Sequence, residues 1–152
     1  MNATVTTTER GWAGHFICAK SCAFRRNTLI TCGNIKWIVS TVGAMRYPID
    51  MPQLGIKAGE MMEIGAWRWY ETMCFESKYD EYDDIDVSKE ISIESPSGIY
   101  GRTWQEVIDT YGDYTDNVAN DMHDKVVEEM KTKIKEAYIN AQTSGSVQGT
   151  NN

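Results

Sequence analysis

At 152 residues, with 41% apolar and 24% charged side chains, the chain has the composition of one globular domain that folds without disulfide staples. No apolar run approaches the ~20 residues of a membrane-spanning helix, and the polar N-terminus lacks the hydrophobic stretch of a secretory signal, so no membrane contact and a cytoplasmic location are expected. A net charge of −7 excludes general nucleic-acid affinity, although the charge is uneven: residues 1–50 carry six Lys/Arg against two acids, and residues 51–152 nine against twenty.

In chain order, residues 1–9 and 143–152 read as flexible polar tails around a single domain, 10–142. Trp12 to Cys18 reads as a first strand. Phe24 to Cys32 and Ile35 to Val42 read as a hairpin turned by Gly33-Asn34. The second arm is apolar on both faces, as a central strand would be. Residues 43–65, interrupted by Gly43, Pro48, Pro52, Gly55, Gly59 and Gly65, read as a long loop. Ala66 to Ser77 alternates, with Trp67 and Trp69 on the core side, and pairs with Ile85 to Ile93, whose Ile85, Val87, Ile91 and Ile93 face inward. Thr103 and Glu106 form a capping box opening a short helix, Trp104 to Tyr111, stopped by Gly112. From Asp116 to Gln142 apolar residues recur at helical spacing on one half of the wheel. The expected fold is therefore α+β: an antiparallel sheet of about five strands packed against a long C-terminal amphipathic helix, with one short extra helix.

Several residues could carry chemistry. His123 falls on the apolar face of the long helix, either as a satisfied core residue or as a group looking into a cleft. Arg25, Arg26, Asn27 and Thr28 supply guanidinium and hydrogen-bonding groups suited to an anion, although neighbouring strand residues point to opposite faces. His15, Cys18, Cys22 and Cys32 resemble a zinc spacing, but no second paired Cys-x-x-Cys exists and a strand would splay His15 and Cys18 to opposite faces, so buried reduced thiols and no metal are expected. Tyr79 to Asp86 is acidic but lacks the glycine and terminal glutamate of a calcium loop. No phosphate loop, nucleophile elbow, zinc-protease motif or dinucleotide fingerprint occurs, and nothing in the sequence requires a cofactor.

Gly11-Trp-Ala-Gly-His-Phe-Ile-Cys18, Phe24-Arg-Arg-Asn-Thr-Leu29, Ser40-Thr-Val-Gly43, Tyr70-Glu-Thr-Met73 and Asn120-Asp-Met-His-Asp124 resemble a group of small, largely uncharacterised accessory proteins of tailed bacteriophages. The resemblance covers most of the chain between its tails. It implies action in the cytoplasm of an infected host cell and modulation of a host system such as defence, and it brings no catalytic assignment.

Three functions are compatible with these residues. The first is capture of a phosphorylated small molecule, such as a nucleotide signal, by His15, Arg25, Arg26, Asn27, Thr28, Tyr70 and His123. The second is an acidic interaction protein that blocks a basic, nucleic-acid-binding host partner through Asp80, Asp83 and Asp84. The third is a small phosphoester hydrolase with His15 or His123 as general base and Glu71 or Asp86 as orienting group. Capture and hydrolysis both require these side chains to converge on one hollow beneath the terminal helix. The sequence is compatible with a monomer or a homo-oligomer.

Overall fold

The computed structural model describes residues 3–10, 14–15 and 22–150. Within them the fold is α+β. The strands are β1 (Val5–Glu9), β2 (Cys22–Cys32), β3 (Ile35–Arg46), β4 (Met61–Met62), β5 (Arg68–Ser77), β6 (Ile85–Ile91) and β7 (Gly98–Tyr100), followed by helices α1 (Trp104–Tyr111) and α2 (Thr115–Thr150). The sheet order is β1-β2-β3-β5-β6, with β4 on β3 and β7 on β5. All pairings are antiparallel. No helix among the described residues is long and apolar enough to cross a membrane.

β3 is the central strand, buried from Trp37 to Ala44, as its two apolar faces require. Two glycines fit it into place. Gly33, at φ +60°, forms the β2–β3 turn and leaves room for the Tyr138 ring of α2, which a Cβ would overlap at 2.2 Å. Gly43, at φ +145°, lets the backbone of β5 come close: a Cβ there would lie 2.2 Å from the Trp69 carbonyl oxygen. Beyond Gly43, Ala44 joins the apolar cluster that includes Phe24 and Tyr70, while Met45 packs by Val42.

α2 lies across the sheet. Ala119, Met122, Val126, Val127, Met130 and Ile134 are buried, and Asp121, Asp124, Lys125 and Glu128 are exposed. Each fully buried aliphatic side chain there contributes about 2 kcal/mol of hydrophobic stabilisation. α1 starts at the expected capping box: the Thr103 hydroxyl accepts from Glu106 N–H at 3.1 Å, and Glu106 accepts from Arg102 N–H at 2.8 Å.

Five expectations need correction. Residues 5–9, read as tail, form edge strand β1; its polar Thr-rich sequence carries no apolar alternation because backbone pairing to β2, with side-chain bonds from Thr6 and Glu9 to that strand, holds it, and only Val5 packs on the core. The helix continues past Gln142 to Thr150. The long loop is shorter than expected, because β3 runs on to Arg46 and β4 intervenes. Trp67, expected in the core, is 56% exposed because it sits in the turn before β5. Val87 is 63% exposed on edge strand β6, whose register against β5 shifts between Phe75 and Ser77. The strand expected over Trp12 to Cys18 lies largely outside the described residues.

Candidate functional site

Strand alternation decides where the expected site residues go. Arg25 and Arg26, Asn27 and Thr28, Ser40 and Thr41, and Tyr70 and Glu71 are neighbours in sequence, so each pair divides between the two faces of the sheet. His15, Asn27, Ser40 and Glu71 gather on the face away from α2; Arg26, Thr28, Thr41, Tyr70, Thr72 and His123 gather beneath the helix. The expected single hollow containing both histidines does not form.

On the helix side, His123 is fully buried and bridges two strands. Its Nε2 is 2.7 Å from Thr28 Oγ1 and its Nδ1 is 2.7 Å from Thr41 Oγ1, which lies 2.6 Å from Thr72 Oγ1. Thr28 donates its one hydroxyl proton to Glu9 at 2.6 Å, so its oxygen must accept from His123 Nε2–H. The bare Nδ1 of the neutral ring then accepts from Thr41, and Thr41 accepts from Thr72. One acceptor-only carboxylate thus orients four groups in a polar seam between two apolar clusters. Burial, and next the Arg26 charge, lower His123 to about 4. Arg26 itself is held by Glu9 and Asp124 at 2.9 and 2.8 Å and contacts Asn120, whereas Arg25 is exposed on the other face. Arg26 is therefore taken up internally and is not open to a ligand.

On the opposite face, His15 Nε2 lies 2.8 Å from Glu71 and Nδ1 lies 2.9 Å from Ser40 Oγ. Burial and then Arg68 lower His15 to about 4, so the imidazole is neutral; Glu71 draws its counter-charge from Arg68. Nε2–H donates to the carboxylate and Ser40 donates to Nδ1. Serine, histidine and glutamate here have the connectivity of a hydrolytic triad, but Ser40 is 0% exposed in the middle of β3, out of reach of any substrate. Neither histidine is placed as a solvent-accessible general base.

Distance separates two of the candidate zinc ligands. Cys22 and Cys32 stand at opposite ends of β2, an 11-residue strand, hence about 33 Å apart. Cys18 lies outside the described residues, and among those described no group of three or more metal-ligating side chains forms. Burial raises the Cys32 thiol and pushes Cys74 up to about 12, so both are inert protonated thiols. The acidic hairpin tip is also used internally: Asp83 accepts from Lys36 and Ser77, and Asp80 accepts from Asp84 N–H. Asp86, the other orienting candidate, accepts from Ser88 on the surface.

Two expected residues reach a cleft. Glu71 lines one of about 310 Å³ with Arg68, Glu90 and Tyr100, where its carboxylate is already taken by Arg68 and His15. Tyr70 lines a hollow of about 360 Å³ at the start of α2, with Arg46, Trp104, Asp113, Tyr114 and Asp116. Tyr70 donates to Asp116 Oδ1 at 2.7 Å, so its oxygen accepts from Thr115 Oγ1 at 2.8 Å. Burial, aided by the Asp116 charge, holds the phenol above its ordinary range, so it remains protonated. Arg46 spends one guanidinium nitrogen on the Gly59 carbonyl, 3.1 Å away, and keeps its other donors. The N-terminal positive end of a 36-residue helix adds to the field. Sequence reasoning missed Arg46, Trp104, Asp113 and Tyr114, since they come from three separate segments and share no spacing.

Compared with protein-family models, curated proteins and solved structures, the chain matches none.

Proposed function

We propose that the protein is a binding module that captures a nucleotide-like small molecule in the cleft at the start of α2 and holds it without reaction. The observation carrying this reading is the combination, in one hollow, of Arg46, the amino end of α2 and the aromatic rings of Trp104 and Tyr114. Arg46 takes the phosphate, with the helix terminus adding to the local positive field. The rings stack on the base. Asp113 and Asp116 give the hollow two carboxylates against one guanidinium, so the ligand carries hydroxyl or amino donors as well as its phosphate, and one phosphate suits it better than three. Capture is favoured over hydrolysis because both histidines are buried, neutral and fully engaged. Taken with the resemblance to bacteriophage accessory proteins, sequestration of a host nucleotide signal is the role such binding would serve.

The test is calorimetric titration with the four ribonucleoside mono- and triphosphates, followed by recovery of the ligand from denatured complex. Monophosphate binding, return of unmodified ligand, and a roughly thirtyfold loss of affinity in Arg46→Ala (about 2 kcal/mol for a charge-assisted contact) are expected. No heat and no thermal shift with any nucleotide, or recovery of a hydrolysed product, would overturn it.

A further inference from the structure

The turn leading into β5 is strained. Ala66 and Trp67 both adopt left-handed backbone, φ +50° and +62°, in a tight turn closed by Arg68 N–H on the Gly65 carbonyl at 2.9 Å. Two consecutive left-handed residues suit glycine or asparagine, and alanine followed by tryptophan is a costly choice there. Burial does not compensate, since Ala66 and Trp67 are both exposed, Trp67 by 56%. Strain kept in place without a packing gain points to a role for the displayed side chain.

What the turn displays is an aromatic ring with a cation against it. The Arg102 guanidinium lies 5.0 Å from the centre of the Trp67 ring. Among the described residues no carboxylate pairs with that guanidinium, in a chain with a surplus of acids; Glu106 engages only the Arg102 backbone N–H. The display is fixed from behind: Gly101 N–H donates to the Trp67 carbonyl at 2.9 Å, and the Gly101 carbonyl accepts from the Trp69 indole at 2.7 Å. Trp69 packs 5.3 Å from Trp104, which lines the cleft. The exposed ring and the cleft are thus joined through one rigid corner.

We infer that Trp67 and Arg102 form a second subsite for the ligand of that cleft, so the ligand is larger than a mononucleotide: it brings a second planar ring to Trp67 and a second anionic group to Arg102. This rests on the cleft reading above. A dinucleotide with two phosphates has this chemistry, with one base and phosphate in the cleft and the other pair on the platform.

The test compares ribonucleoside monophosphates with 5′-phosphorylated dinucleotides of the same bases on the intact chain by calorimetry. The key variant is Trp67→Gly, which removes the ring, relieves the backbone and keeps the carbonyl that holds Gly101, so it should melt no lower than the parent. The parent should bind the dinucleotide at least roughly tenfold tighter than the mononucleotide. Trp67→Gly should erase that preference and leave mononucleotide affinity unchanged, and Arg102→Ala should reduce it. Equal affinity for the two ligands in the parent, or an undiminished preference in Trp67→Gly, would overturn the second subsite while leaving the cleft standing. Absence of binding by either ligand would overturn both.

Discussion

At the residue scale the two histidines are structural groups kept neutral by burial, and this sets the acid response of the fold. Each has a folded value of about 4 against 6.5 in the unfolded chain. The unfolded state therefore binds more protons between those values. The associated stability is complete above pH 6.5 and is lost as pH falls toward 4, on the order of 3 kcal/mol for each ring. Urea melts from pH 7.5 to 4 should show that slope. His123→Gln should flatten about half of it; an unchanged slope would mean that the ring charges inside the fold at no cost. At neutral pH, His123→Leu should lose roughly 2–4 kcal/mol, because it leaves Thr28 and Thr41 buried beside hydrocarbon. Of this, only the placement of His123 on the inner helix face was legible in sequence. Its partners come from two strands, and hydroxyl pairing across strands leaves no periodic trace.

At the element scale, backbone fit matters more than side-chain chemistry. Gly43→Ala should cost about 3 kcal/mol or more, since its Cβ would meet Trp69 and Tyr70 backbone atoms that cannot rotate aside. Denaturant titration would show this, and a near-parental midpoint would contradict the close approach of β3 to β5. Glu129 fastens the segment between β6 and β7 to α2. Burial alone would raise its carboxyl, but bonds from Glu94 and Ser95 N–H and from Lys133 hold it at about 2. Glu129→Gln should raise amide exchange at Glu94 and Ser95 without loosening β3. Central β3, the capping box before α1 and the apolar stripe of α2 were readable because burial imposes period and capping imposes spacing. β1 was not, because an edge strand held by backbone bonds and by polar side chains such as Thr6 and Glu9 needs no apolar pattern. Nor was the exposure of Trp67, since a left-handed alanine–tryptophan pair runs against residue preference.

At the scale of the whole molecule, the sheet is a partition. Its alternation divides the conspicuous residues of the sequence between two faces, where both histidines, Arg26 and Glu71 are satisfied internally, and a surface with unspent donors and open rings lies at the corner where β3, β4, β5, α1 and α2 meet. That corner was illegible in sequence because residues 46, 70, 104 and 113–116 are brought together by topology alone. The acidic surplus of the chain sharpens the point: with net charge −7, an anion binds only where a guanidinium is held free of carboxylate partners, as at Arg46 and Arg102. The most direct test is a titration of parent and Arg46→Ala protein with ribonucleoside monophosphates, monitored by heat and by melting temperature. Saturable binding in the parent, weakened roughly thirtyfold in the variant at unchanged stability of the free protein, is the expected result; equal affinity in the two proteins, or none in either, would contradict a phosphate-reading cleft at the start of α2.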